Sequence, residues 1–366
     1  VPDLYRRATA VGVTGWGLGC AVVLGTNSEQ EDGFGLRYIQ GIRSFITFDK
    51  FLLITYGSEK WNLSTRVYYA SSDNDFKYTN YKKKLYLKDE EGNIIRRYHP
   101  VERNKNGYFK DFHVLQEAYY NSKNGSRWGL SAWYMNSNRG LPMLSVDRRP
   151  ASAHKEEQDE QTFRGALNWL RMYSSLKLEA KAGYIYTDFR YIYKGDNGDG
   201  ELKTMTDSRN YTNTLFADLN AEYFIGNKWS FSGNISVHQN MVSNRNRAIE
   251  DMAGEKQIIG YNKARPELSG FVSARYKPHQ RLGLALNLRE DWYGKGSAQF
   301  IPAGFAEYYI LKDGSLIFKS SIARNYRFPT LNDLYFLPGG NPDLKPEYGF
   351  TYDAGMEYTG NFKTLQ

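Results

Sequence analysis

The densest chemistry in this chain lies in GDNGDGE, Gly195 to Glu201, where Asp196, Asp199 and Glu201 offer the clustered oxygens that calcium prefers. The stretch lacks the acidic first position of the EF-hand loop, and a plain Asn/Asp/Gly turn uses the same residues. Calcium is the one cofactor left open, and no other is implied. Five histidines, His99, His113, His154, His238 and His279, are scattered without metal-ligand spacing. No serine elbow or Cys/His nucleophile pattern occurs, so the chain does not read as an enzyme. Cys20 is the only cysteine, which excludes an internal disulfide. Gly15, Gly17 and Gly19 look like a phosphate loop, but such a loop must open a helix and the following CAVVLGT reads as strand. What remains is binding. Tyr78, Tyr81, Arg139, Tyr191, Arg245 and Arg327 fall in long polar connections, where aromatic and guanidinium groups can stack on or pair with a small-molecule ligand.

The elements that must position these residues are strands. In LGLALNLRE the leucines Leu282, Leu284, Leu286 and Leu288 alternate with Gly283, Ala285, Asn287 and Arg289. In LFADLNAEYFI the set Leu215, Ala217, Leu219, Ala221, Tyr223 and Ile225 opposes Asp218, Asn220 and Glu222. LKLEAKAGYIY, WSFSGNISVH and FTYDAGMEY repeat the pattern, giving about fourteen strands with hardly any helix to cover their apolar faces. Lipid is the simplest cover, and the chain is expected to be all-β, an antiparallel up-and-down transmembrane β-barrel. No apolar run approaches the roughly 18 residues of a spanning helix. The 366 residues include 30 Tyr, 20 Phe and 7 Trp, and many of these stand near strand ends, where amphipathic rings favour the headgroup level. Tyr68, Tyr69, Tyr119, Tyr120, Trp128, Trp133, Tyr184, Tyr186, Tyr223, Trp229, Tyr308 and Tyr309 are expected to form such girdles.

Connections support the same architecture. Tight turns are expected at 57–60, 123–126, 172–175, 226–228, 277–280, 312–314 and 359–362. Long polar connections are expected at 77–111, 137–160, 190–208, 243–265 and 327–347, so short and long alternate, as they do between the two rims of an outer-membrane barrel. The net charge of +8 is not gathered into a nucleic-acid stripe, because Lys82, Lys83, Lys84, Arg96 and Arg97 share a segment with Asp89, Glu90 and Glu91. That segment reads as a solvated loop or as a contact for anionic lipid headgroups or lipopolysaccharide; nucleic acid is not among the expected partners.

One connection is unlike the others. In RFPTLNDLYF, Pro329 stops ladder donation, Thr330 can cap a helical turn, and Leu331, Leu334 and Tyr335 fall on one side of that turn. In the following GGNPDLKPE, Pro342 and Pro346 hold the chain extended before Glu347 enters the next strand. Tyr326, Arg327, Phe328, Pro329, Leu331, Leu334 and Tyr335, then Gly340, Asn341, Pro342, Leu344, Pro346, Glu347 and Gly355, resemble the barrel signature of TonB-dependent outer-membrane receptors. GVTGWGLGCAVVLGTN, Gly12 to Asn27, is similar to the glycine-rich end of that family's plug domain. The resemblance implies a 22-stranded plugged barrel and active import of a scarce ligand such as cobalamin or an iron chelate. It also implies a bacterial outer-membrane location, coupling to the TonB complex through a plug, and contact with outer-membrane lipids and lipopolysaccharide, with a surface lipoprotein as a further expected partner. Residues 1–30 are then expected to be the end of a plug and the way into the barrel, and 31–366 a barrel incomplete at its C-terminus. With almost no plug and no coupling box, the chain is expected to be an internal portion of a longer receptor. The alternative is a passive, porin-like channel of about fourteen strands.

Overall fold

The computed structural model describes residues 2–6, 20–24, 32–142, 154–196, 201–250, 256–294, 296, 299–337 and 339–360. Two short strands, β1 (Pro2–Arg6) and β2 (Cys20–Leu24), pair only with each other. Strands β3 (Gly33–Arg43), β4 (Thr47–Gly57) and β5 (Trp61–Ser72) then open a large sheet. A loop excursion follows, containing β6 (Lys77–Thr79), β7 (Leu85–Lys88), β8 (Ile94–Tyr98) and β9 (Val101–Arg103), with β6 paired to β9 and β7 to β8. The sheet resumes with β10 (Phe109–Asn121), β11 (Ser126–Leu141), β12 (His154–Met172), β13 (Leu176–Asp196) and β14 (Leu202–Ile225). It continues through β15 (Trp229–Glu250), β16 (Lys256–His279), β17 (Leu282–Tyr293), β18 (Gln299–Tyr309) and β19 (Leu316–Arg327). After the five-residue helix α1 (Leu331–Tyr335) it ends with β20 (Glu347–Tyr358).

Fourteen strands, β3 to β5 and β10 to β20, form one antiparallel sheet in which each pairs with its neighbours in sequence, and β3 and β20 are its open edges. Among the described residues no helix is long and apolar enough to cross a membrane. The strands are amphipathic in the inverted sense. Apolar side chains are exposed, including Leu167, Leu215, Leu219, Ile235, Val237, Val272 and Leu286, while Asn62, Ser64, Glu117, Thr162, Asn234, Ser236, Ser273, Asn287 and Arg289 are buried. Register makes each set a continuous face. Leu130, Leu167, Ala182, Ala217, Val237 and Leu268 lie in one cross-strand row on the outward side. Arg66, Leu115, Trp133, Arg164, Ile185, Thr214, Asn240 and Arg265 lie in another on the inward side. Inward groups satisfy one another: Ser273 donates to Asn287 at 2.7 Å, Asn234 to Asn220 at 2.9 Å, and Arg66 pairs with Glu117.

Three expected loops are corrected to strand. The connections placed at 137–160, 190–208 and 243–265 are mostly hairpin arms, since β11 runs to Leu141, β13 to Asp196 and β15 to Glu250. Their polar composition reads as loop, yet backbone ladders form regardless of side-chain polarity where both faces are wet. A strand of 24 residues, as in β14, extends about 80 Å, whereas about 9–11 residues cross a bilayer, so these hairpins project far beyond one rim. Strict alternation of short and long connections is corrected too, because two hairpins on the long-loop rim are tight. One is Ser44 to Ile46, where Phe45 and Ile46 take positive φ of 63° and 54° without a glycine or asparagine to signal it. Thr47 donating to the Ser44 carbonyl at 2.7 Å and the edge-to-face contact of Phe45 with Phe76 hold that turn. The other joins β17 to β18 through residues 294–298. The girdle list loses four of its twelve residues for a steric reason: neighbours on a strand face opposite sides. Tyr69, Tyr120 and Tyr308 share the outward register, while Tyr68, Tyr119, Trp133 and Tyr309 point inward. Trp133 instead carries the Arg164 guanidinium at 4.5 Å from its ring centre.

Leu219 stands in the middle of the outward apolar face, with Ala180 and Ile235 as its cross-strand neighbours. Leu219→Arg is expected to cost about 2–4 kcal/mol of folding free energy in lipid vesicles, read from urea midpoints, whereas the inward-facing change Lys181→Arg, at an exposed position, is expected to cost under about 1 kcal/mol.

Candidate functional site

The sheet's inward face is covered at one place by its own chain. Strands β18 and β19 pair only from Ala303 to Tyr309, and above this β19 is held by β20 alone, as far as Arg327 opposite Glu347. Tyr326 donates to buried Asp291, and Phe328, 2% exposed, stacks between Tyr326 and Tyr293. With Ile301 these rings form a small apolar core. Pro329 then ends the strand, and Thr330 caps α1 reciprocally: its hydroxyl accepts from the Asp333 amide at 3.1 Å, while the Asp333 carboxylate accepts from the Thr330 amide at 2.8 Å. Those amide and hydroxyl donors, helped by Arg327 at 3.6 Å, hold the Asp333 carboxyl below the usual carboxylate range.

The return segment is fixed by backbone. The Gly340 amide reaches the Phe336 carbonyl at 2.6 Å, and any Cβ at position 340 would stand 2.6 Å from the Phe336 nitrogen, so only glycine fits. Asn341 donates its amide to the Asp333 carbonyl at 2.9 Å and accepts from the Asp343 amide at 2.9 Å through its side chain. Leu334 is buried, Leu344 is exposed, and Glu347 lies 4.0 Å from Arg327. Pro342 and Pro346 flank the stretch that returns to β20.

Arg265 of β16 ties this loop to the wall. Its Nη1 donates to the Pro329 carbonyl at 2.7 Å, its Nε to Glu267 at 2.8 Å, and its guanidinium lies over the Tyr293 ring. Tyr261 donates to Asn332, and the Lys263 ammonium lies 4.6 Å from the centre of the Tyr335 ring. Between loop and wall is a cleft of about 690 Å³, lined by Phe189, Asn210, Thr212, His238, Asn240, Val242, Tyr261, Arg265 and Glu267 from β13 to β16 and by Thr330, Leu331 and Asn332 from the loop. Amides, hydroxyls and two aromatic rings dominate it. Such a lining takes a ligand through many neutral hydrogen bonds and ring contacts.

The structure brings the expected signature residues together and scatters the other expected ligand contacts. Tyr78 hydrogen-bonds Glu102 within the β6–β9 hairpin, and Tyr81 nearby is 75% exposed. Arg139 faces inward against Asp111 at 3.2 Å. Tyr191 donates to Glu156 at 2.8 Å, and burial together with that carboxylate pushes its phenol up to about 12. Arg245 shares the outward register with Ile235 and Val237, and Arg327 braces the loop between Asp333 and Glu347. Asp196 and Glu201 end β13 and precede β14, and Asp199 lies outside the described residues, as does most of Gly12 to Asn27. Among the described residues no group of three potential ligands converges for a metal. Tyr261, Lys263 and Arg265 were hidden by reading 243–265 as loop, although YNKARPE places Tyr261, Lys263, Arg265 and Glu267 two residues apart.

An inverted antiparallel wall with a stiff loop folded onto its inner face is the build of a transmembrane β-barrel wall. The sequence matches the family profile described as TonB dependent receptor-like, beta-barrel, over residues 24–366, and the chain belongs to that family. No curated protein sequence matches it significantly. Among solved structures it is similar to "Copper transporter OprC" at a TM-score of 0.70 and 16% identity, covering 94% of this chain and 54% of that one. It is also similar to the FrpB iron transporter from Neisseria meningitidis at 0.70 and 13% identity, covering 98% and 58%. The ferripyoverdine receptor of Pseudomonas aeruginosa matches at 0.70 and 13% identity, covering 97% and 50%. These likenesses concern the fold, and the chain spans about half the length of the structures it matches.

Arg265 and Glu267, whose side chains are 13% and 2% exposed, are the loop's main charged link to the wall. Arg265→Met is expected to destabilise by about 3–5 kcal/mol, because it strands the Glu267 carboxylate, and to make residues 330–346 sensitive to limited proteolysis. Adding Glu267→Gln is expected to restore most of the stability but not the protease resistance. Separately, Asp333 supports α1 as a carboxylate of lowered pKa, so its contribution is complete above the unfolded value near 3.9 and is lost as pH falls through the lower folded value. Proteolysis within α1 is therefore expected to rise only below about pH 4 in the wild type and to be high already at pH 7 in Asp333→Ala.

Proposed function

We propose that this chain is part of an outer-membrane TonB-dependent transporter that imports a scarce small ligand, with cobalamin or an iron chelate as the ligand class. The observation that carries the reading is the signature loop pinned by Arg265 over a polar cleft on the barrel's inner face. A receptor needs such a fixed inward surface, and the family match over residues 24–366 favours a receptor over a passive channel. Residues 1–30 belong, on this reading, to the end of a plug through which a TonB complex acts. Further strands close the wall between β20 and β3, since an open edge in hydrocarbon leaves backbone groups unsatisfied. The solved structures support the class: one is titled a copper transporter, another an iron transporter and a third a ferripyoverdine receptor.

The test uses the receptor carrying this chain, expressed in cells lacking other uptake routes and given radiolabelled cyanocobalamin or iron(III) citrate. Accumulation of one probe is expected, abolished by a protonophore and reduced at least about ten-fold by Asn240→Ala combined with Asn332→Ala, which removes two of the cleft's amides. A steady open conductance of the intact protein in planar bilayers, with no energy-dependent accumulation, would favour the passive channel instead.

A further inference from the structure

The cleft beneath the signature loop is poor in charge. Among the described residues that line it, only Arg265, Glu267 and His238 can carry one near neutral pH, and the protein answers each cation itself. Arg265 donates through Nε to Glu267 at 2.8 Å and through Nη1 to the Pro329 carbonyl at 2.7 Å. His238 faces Glu267 across the β15–β16 ladder, and its Nε2 lies 3.0 Å from the Ser236 hydroxyl and 3.9 Å from the Asp218 carboxylate. A proton taken up there meets carboxylates on both neighbouring strands. The anionic side is in excess: Asn240 lies beside the Glu267 carboxylate, yet Oε2 of Glu267 makes no hydrogen bond. Lys263, two residues from Arg265 on the same face, lies over the Tyr335 ring and does not line the cleft.

The remaining polar lining is uncharged. Asn210, Asn240, Asn332, Thr212, Thr330 and Tyr261 offer amides and hydroxyls. An anion brought among them leaves water and finds every cation already committed, and a charge desolvated without a counter-charge is strongly disfavoured. A neutral ligand that carries its own amides and hydroxyls exchanges hydrogen bonds with water for hydrogen bonds with the wall at little net loss. Resting on the proposal that the chain imports a corrinoid or an iron chelate, we infer that the cleft selects its ligand by charge: it takes an electrically neutral, amide- or hydroxyl-bearing ligand and rejects polyanionic chelates. The lack of an available cation is the repulsive element that such specificity requires. Cyanocobalamin, uncharged overall, is then accumulated in the uptake assay, and anionic iron(III) citrate is not.

The experiment measures the affinity of the intact receptor carrying this chain, in mild detergent, for two pairs of probes that differ in charge more than in shape. One pair is cyanocobalamin and its analogue with the peripheral propionamides hydrolysed to carboxylates. The other is iron(III) held by an uncharged hexadentate trihydroxamate and by a hexadentate tricatecholate, which leaves the complex trianionic. Within the pair that binds, the neutral member is expected to be favoured at least about thirty-fold. Thr212→Lys, which places an ammonium on the β14 side of the cleft, is expected to raise affinity for the anionic member at least about ten-fold, whereas the uncharged Thr212→Met does not. Heat-modifiable gel mobility reports folding of each variant. Affinities within about three-fold of each other across a pair, an equal response to the Lys and Met variants, or uptake of iron(III) citrate in place of cyanocobalamin overturns selection by charge. Binding of none of the four probes by folded wild type overturns the corrinoid-or-iron reading itself, a result distinct from equal binding within a pair.

Discussion

Everything in this structure follows from the requirement that backbone N–H and C=O groups be bonded where no water can reach them. An uninterrupted antiparallel ladder meets that requirement, and once the ladder exists period-two geometry sends alternate side chains to opposite sides. The chain has used this to reverse the ordinary distribution of polarity. Leucines, valines and aromatic rings stand exposed, and serine, asparagine, glutamate and arginine are buried. In water such a wall would expose apolar surface far beyond what a soluble monomer tolerates. Against acyl chains the same surface is the favourable one.

The departures from the ladder are confined to places where another interaction compensates. Phe45 and Ile46 adopt left-handed backbone only where Phe76 and the end of β5 pack beneath them. Above Ala323 the pairing of β18 with β19 lapses because Tyr326 and Phe328 gain more from Asp291, Tyr293 and Ile301 on the inner side than from continued pairing. Arg265 then joins that aromatic core to α1. The loop's shape is thus decided jointly by residues of the loop and by wall residues about sixty positions earlier.

That division explains what could be read from the sequence. The strand number, the inward or outward sense of LGLALNLRE and LFADLNAEYFI, and the cap at Thr330 are local in sequence and were legible. Hairpin length was not, because polarity was the signal, and the described arms of 137–160 and 243–265 remain strand although their side chains turn polar. Ring placement failed at Tyr68 and Trp133 because proximity to a strand end was weighed without parity. The cleft was the least legible part. Asn210, His238, Asn240 and Arg265 come from three strands and converge only through register, which no single segment encodes.

The two faces of one strand answer to different neighbours, so they can vary with little reference to each other. On β16, Leu268 and Val272 meet the outward environment while Arg265, Glu267 and Ser269 meet the cleft and the strands beside it. A change on the inner face alters what the cleft holds and leaves the outer apolar area untouched. Arg265 is the exception, since it bonds loop, ring and carboxylate together. A residue with three such obligations is poorly placed to be exchanged for specificity. The amides at 210, 240 and 332, held by the same scaffold but carrying less of it, are where ligand preference has room to change.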